Sequence, residues 1–219
     1  MFTGIIQSIA TIADIHDQEG LRTFTVDFEK GFCNELTVGS SVSLDGVCLT
    51  VTALFNDHRA HFDVMLPTLK TTTLQNAFMG MKVNVERATK EGAEIGGHPL
   101  SGHIDFYGKI IAIQNPENNY SLTIEIPSMW IRYIFNKGYI ALNGTSLTMS
   151  EVNKQKATFE VWLIPETLRR TTFDKKKVDD LINIELDRST QVIVDTLRSA
   201  IEEQFQLLRA GEGVARINK

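Results

Sequence analysis

With 219 residues, 42% of them hydrophobic, the chain can bury one large core or two smaller ones without metals or disulfides. A formal net charge of -5 and the lack of any dense Lys/Arg run argue against nucleic acid or an anionic membrane as a partner. Two cysteines, Cys33 and Cys48, are too few for the disulfide framework of a small secreted domain and fit a reducing, cytoplasmic compartment. The opening Met1-Phe2-Thr3-Gly4-Ile5 lacks a basic segment, and no apolar run reaches the length of a membrane span, so a soluble, unprocessed protein is expected.

Read along the chain, the sequence repeats itself. Thr3-Gly4-Ile5-Ile6 returns 98 residues later as Ser101-Gly102-His103-Ile104, and Asp45-Gly46-Val47-Cys48-Leu49-Thr50 returns at the same offset as Asn143-Gly144-Thr145-Ser146-Leu147-Thr148. Thr68-Leu69 and Val83-Asn84-Val85-Glu86 return one residue further out, as Thr167-Leu168 and Ile182-Asn183-Ile184-Glu185. Two copies are too few for a solenoid, which leaves two homologous domains. We expect an N-terminal barrel over 1–97, a C-terminal barrel over 98–188, and a separate helix and tail over 189–219. The polar, glycine-rich stretch from Ala88 to Gly97 reads as the linker.

Within each copy, short strands punctuated by turns predict a mainly β fold, two six-stranded Greek-key-like antiparallel barrels. Glu29 to Leu36 predicts a weak helix and Pro127 to Phe135 a firmer one, ended by Gly138. Asp45-Gly46 and Asn143-Gly144 each predict a two-residue hairpin, because both turn residues must take positive φ. From Thr190 to Arg209, Val194, Leu197, Ile201 and Leu208 fall on heptad-like positions, with Gln204 the polar interruption and Gly211 the expected stop. That seam suits packing against copies of itself, although docking on its own domain would use the same residues.

Side chains alternate along a strand, so Cys48 and Thr50 share one face, as do Ser146 and Thr148. Strand threonines are usually just good strand formers, but here the polar spacing is kept in both copies while neighbours differ. Cys48 is the candidate soft nucleophile, against the commoner reading of a cysteine as a small hydrophobe. His103 stands where the first copy has Ile5, and histidine is the residue type most often used as a general acid or base. His98 and His103 lack a zinc spacing, so no metal is expected. Two related pockets with different residues at matching positions could bind one kind of ligand without doing identical chemistry.

At these residues the chain resembles the alpha-type riboflavin synthases, built from two lumazine-binding repeats, from Met1 to about Asp195. The motifs are Met1 to Ile5, Gly46 to Val51, Gly96-Gly97-His98, Ser101 to Ile104, Gly144 to Thr148 and Ile164 to Leu168. The resemblance implies a transferase that moves a four-carbon unit between two molecules of 6,7-dimethyl-8-ribityllumazine, giving riboflavin and a ribitylamino-pyrimidinedione without a cofactor. It implies a homotrimer held by the C-terminal helix, with each active site between barrels of neighbouring subunits, and lumazine synthase as a candidate protein partner.

Carried over by position, one pteridine is expected on Gly4, Ile5, Ile6, Cys48, Leu49, Thr50, Asp63, Val64, Met65, Leu66, Pro67 and Thr68, with Phe2 and Ser41 beside it. The other is expected on Gly102, His103, Ile104, Lys137, Ser146, Leu147, Thr148, Trp162, Leu163, Ile164, Pro165, Glu166 and Thr167. His103 would shuttle protons, with Ser41, Cys48 and Ser146 completing the catalytic set. The chain departs from the family pattern at Asn143, where an acidic residue is frequent, and at Pro67, where the first repeat usually has glutamate. The alternatives are a non-catalytic relative resembling the lumazine proteins and a flavin-binding barrel like those of ferredoxin reductases.

Overall fold

A computed structural model describes residues 1–116 and 119–217, with side chains of the last helix described through residue 209. The expected mainly β fold is present as two closed six-stranded antiparallel barrels followed by a helix. The first barrel comprises β1 (Ser8–Gln18), β2 (Leu21–Asp27), β3 (Ser41–Leu44), β4 (Val47–Asn56), β5 (Arg59–Met65) and β6 (Lys82–Arg87), ordered β1-β2-β5-β4-β3-β6. The second comprises β7 (Phe106–Gln114), β8 (Tyr120–Glu125), β9 (Tyr139–Leu142), β10 (Thr145–Asn153), β11 (Thr158–Leu163) and β12 (Leu181–Leu186). Its cyclic order repeats that of the first. Short helices α1 (Leu66–Thr71) and α2 (Pro165–Arg170) leave β5 and β11 at equivalent places.

Each barrel fills with its own alternating side chains. Ile12, Phe24, Val42, Val51 and Phe62 are sealed in the first, and Ile110, Ile124, Ile140, Phe159 and Val161 in the second. The predicted hairpins are present, with φ of 45° and 84° at Asp45 and Gly46 and of 43° and 79° at Asn143 and Gly144. The segment from Pro127 forms a 3-10 helix, Ser128–Tyr133. The expected helix at Glu29–Leu36 is instead a run of turns closed by bonds three residues apart, because Gly31 and Glu35 take positive φ and break the helical path.

Both barrels lie in one compact unit, Met1–Leu186. Their hairpins meet back to back, since a β-carbon on Gly46 would fall 2.7 Å from the backbone nitrogen of Gly144. Two fully buried asparagines tie the barrels together. The side chain of Asn84 donates to the Asn143 carbonyl at 3.1 Å and accepts from the Thr172 amide at 2.8 Å. Asn183 mirrors it, donating to the Asp45 carbonyl at 2.9 Å and accepting from the Thr73 amide at 2.7 Å.

The second unit, Asp187–Lys219, carries α3 (Arg188–Ile217). The helix runs past Gly211, the expected stop, because an interior glycine costs a helix only about 1 kcal/mol. Its apolar face is open, with Leu197, Ile201 and Leu208 joined by Phe205, one residue beyond the polar interruption at Gln204. Among the described residues no helix is long and apolar enough to cross a membrane.

Asp45 is the charged member of the clasp. One carboxylate oxygen accepts from the Asn84 amide at 2.8 Å, while the other is buried without a protein partner among the described residues. Burial pushes its pKa up from 3.8 to about 6, against the pull of Lys176 and the Asn84 amide. The folded state therefore holds this proton more tightly than the unfolded chain, and stability is lost as pH rises from about 4 through 6. That shift corresponds to a cost on the order of 3 kcal/mol at neutral pH. Asp45→Asn, which copies Asn143, is expected to resist urea better than the parent at pH 7.5, with the gap closing below pH 4. A gap that does not change with pH would contradict this.

Candidate active site

Alternation in β4 and β10 turns Val47, Leu49 and Val51, and likewise Thr145, Leu147 and Met149, into the barrels. Cys48 and Thr50, and Ser146 and Thr148, consequently face outward. β3 and β9 place Ser41 opposite Thr50 and Tyr139 opposite Thr148. Each barrel thus carries a small polar patch on its outer wall, built on the same register.

The segments that complete these patches are exchanged relative to the sequence expectation. Phe2 and Leu100 pair antiparallel through amide bonds of 2.8 and 3.0 Å, and the two segments cross there. The Gly4 carbonyl then accepts from the Ser146 amide at 2.9 Å, and the Gly102 carbonyl from the Cys48 amide at 2.8 Å. Gly4, Ile5 and Ile6 therefore accompany the second barrel's Ser146, while Gly102, His103 and Ile104 accompany the first barrel's Cys48. Each segment thus bonds to the hairpin of the other repeat rather than to that of its own. The copies share one motif, so local pattern could not say which hairpin each segment joins.

Two buried carboxylates hold the crossing. Glu86 accepts from the Thr3 amide, the Thr3 hydroxyl and the Gly4 amide at 2.6, 2.7 and 3.1 Å, and Glu185 accepts from the equivalent atoms of Ser101 and Gly102 at 2.7, 2.6 and 3.0 Å. Burial pushes the Glu86 carboxyl up while these bonds pull it down. Neither glutamate was singled out from sequence, although both stand in the repeated Asn-x-Glu pattern that also supplies Asn84 and Asn183.

Several expected contact residues face the core instead. Leu49, Val64, Leu147 and Leu163 point into the barrels and Ile6 is buried, so they offer only backbone to a ligand. Phe2 packs with Leu100 and Ala141 beneath Cys48 and Ala88. The open rim is formed by Ile5, Met65, Leu66, Trp162 and Ile164, all large apolar side chains left exposed, together with Thr50, Asp63, His103, Lys137 and Thr148. Asp63 accepts from the Thr23 hydroxyl at 2.7 Å. Pro67 and Pro165 lie in the first turns of α1 and α2, which also hold Thr68 and Thr167, and Glu166 is engaged by Arg169 and Arg170 of its own helix.

The patches are not identical. Lys137 takes φ 63° where the first copy has Gly39 at φ 94°, and both amides donate to the neighbouring strand, at Met149 and Val51. A lysine in that conformation is strained, as residues at functional sites often are. The linker begins at the first barrel's site, where the Ala88 amide donates to the Ser41 carbonyl at 3.1 Å, and ends at the second's. Gly97 packs against Thr3 and Ser146, and buried His98 holds the Ser146 hydroxyl through Nδ1 at 2.6 Å. A recess of about 530 Å³ lies at the far ends of β6 and β12 beside Phe78, Met81 and Lys176 and contains none of these groups.

The lumazine binding domain model matches the chain twice, over residues 3–88 and 101–187. A riboflavin synthase of Buchnera aphidicola subsp. Schizaphis graminum is 41% identical over 95% of this chain and 99% of its own length. That of Escherichia coli K12 is 42% identical over 92% and 93%. The chain belongs to the riboflavin synthase family. Among solved structures, LumP complexed with riboflavin superposes with a TM-score of 0.78 at 25% identity, covering 86% of this chain and all of that one. LumP complexed with 6,7-dimethyl-8-(1'-D-ribityl) lumazine gives 0.77 at 23%.

The crossing leaves this riboflavin synthase family member no room at Gly102. A β-carbon there would lie 2.6 Å from the Cys48 β-carbon and 2.9 Å from the Phe2 ring, at φ 77°. Gly102→Ala is expected to cost about 2–4 kcal/mol in thermal unfolding, from strain and overpacking together. Gly20→Ala, at φ 78° with nothing within 4 Å, should cost only about 1 kcal/mol. Equal losses would show that the packing at Cys48 is slack.

Proposed function

We propose that this protein is a riboflavin synthase that binds 6,7-dimethyl-8-ribityllumazine on the outer patch of each barrel and transfers a four-carbon unit from one molecule to the other. The observation that carries this reading is the pair of outward patches, Cys48 with Thr50 and Ser146 with Thr148, built on one register but completed by different residues. A donor and an acceptor of the same compound require that combination of likeness and difference. The carbons lost by one molecule are those gained by its partner, so the transfer needs no cofactor.

The chemistry asked of the residues is modest. A ring methyl must lose a proton, a nucleophile must add to an electrophilic ring carbon, and two rings must lie face to face. Orientation can supply much of such a barrier. His103, brought to the first barrel's site by the crossing, is the proposed proton shuttle. Ser41 and Cys48 would polarise or add to the ring bound there, and Ser146, oriented by His98, would serve the second ring. Met65, Leu66, Ile5, Trp162 and Ile164 stand exposed around the patches, as expected of surfaces that a ligand and a neighbouring subunit cover. The open seam of α3 would hold such subunits together as a trimer, in a reducing, cytoplasmic compartment, with lumazine synthase the candidate supplier of substrate.

Incubation with 6,7-dimethyl-8-ribityllumazine alone should yield riboflavin, followed by absorbance and chromatography. His103→Gln should lower turnover on the order of a hundredfold, the scale of a lost general acid or base. Tight binding without riboflavin formation would make the chain a non-catalytic lumazine-binding relative. Leu197→Lys together with Ile201→Lys should convert trimers to monomers in sedimentation and abolish most turnover. Unchanged mass would remove α3 from the assembly.

A further inference from the structure

Tyr139 occupies in the second barrel the place that Ser41 holds in the first. Each is the opening residue of its strand, and each pairs across a hairpin with the outward threonine of the site, Thr148 or Thr50. The substitution puts a ring where the first barrel has a hydroxymethyl. That ring is held in place, for its centroid lies 5.2 Å from that of His98 with 18° between the planes. His98 is itself buried and tied to the Ser146 hydroxyl. One face of Tyr139 is therefore covered, yet the residue keeps 56% of its surface open.

We propose that Tyr139 is the ring on which the second barrel's pteridine stacks, and that it makes the second barrel the tighter of the two sites. This rests on the functional reading above and adds to it a residue that distinguishes the two bound molecules. Aromatic rings bind flat heterocycles through an offset face-to-face arrangement, and a platform fixed before binding loses little entropy in doing so. Cross-strand neighbours stand about 5 Å apart at their β-carbons, so a ring resting on Tyr139 lies within reach of the Thr148 hydroxyl. Lys137 precedes it by two residues on the same rim, placing a cation at the edge of the bound ring. The first barrel offers Ser41 and Thr50 but no aromatic side chain at the equivalent place.

Riboflavin is the probe, since it carries the ring system and does not turn over. Its fluorescence quenching on titration should resolve two unequal sites in the parent. Tyr139→Ser and Tyr139→Leu should weaken the tighter site about tenfold and leave the other unchanged, while Tyr139→Phe should bind like the parent. Far-UV circular dichroism and thermal melting would establish that each variant is folded. If Tyr139→Ser and Tyr139→Leu leave the tighter site unaltered, or weaken only the looser one, the proposal fails. A shift in sedimentation with both affinities intact would overturn it too, assigning the ring to a subunit contact. A parent that binds no riboflavin at all would instead overturn the functional reading on which the proposal stands.

Discussion

Two buried amides, Asn84 and Asn183, carry the arrangement on which everything else depends. Each lies inside the interface between the barrels and bonds with both ends of its side chain to backbone of the other barrel. A buried polar group left unpaired costs about 1–3 kcal/mol, so the interface is stable only in the registration that satisfies both amides. That registration sets the two hairpins back to back at Gly46 and Gly144 and fixes where Cys48 and Ser146 emerge. Two residues further along the same strands, Glu86 and Glu185 gather the amides of the crossing segments. One pair of strands, β6 and β12, therefore carries both the clasp and the supports of the candidate sites.

On this nearly symmetric frame the chemistry is unsymmetric. Symmetry supplies two like surfaces, as the proposed reaction between two like molecules requires, and differences at a few positions make the surfaces unlike. His103 against Ile5, Cys48 against Ser146, Tyr139 against Ser41 and Lys137 against Gly39 are each replacements at equivalent backbone positions. Because the segments cross, the segment that carries His103 joins the first barrel, where the Gly102 carbonyl accepts from the Cys48 amide. The second site also has the buried His98, which holds the Ser146 hydroxyl. The asymmetry extends to the core of the clasp, where Asp45 faces a job that Asn143 does without charge, and burial pushes its carboxyl up to about 6.

Much of this was legible in the sequence, and the reasons differ by residue. The hairpins at Asp45-Gly46 and Asn143-Gly144 could be read because positive φ at two successive residues admits few residue types. The outward faces of β4 and β10 followed from period-two alternation. Glu86 and Glu185 were visible as a repeated pair, but a repeat alone does not distinguish a carboxylate that organises backbone from one that is merely kept in solvent. The exchange of the segments could not be read at all, since two copies of one motif are locally interchangeable and only the bonds of Gly4 to Ser146 and of Gly102 to Cys48 decide between them. The helix expected at Glu29–Leu36 failed for a local reason, the left-handed Gly31 and Glu35. The expected stop at Gly211 failed because a glycine ends a helix only where the chain also turns away.

The central claim is that each site is composed of residues from both repeats. A crystal structure of the protein with 6,7-dimethyl-8-ribityllumazine bound tests it most directly. The account predicts that the ring beside Cys48 and Thr50 touches Gly102 and His103, and that the ring beside Ser146 and Thr148 touches Gly4 and Ile5. A ring lying on Cys48 with Gly4 and Ile5 of the same chain around it, and His103 elsewhere, would contradict it.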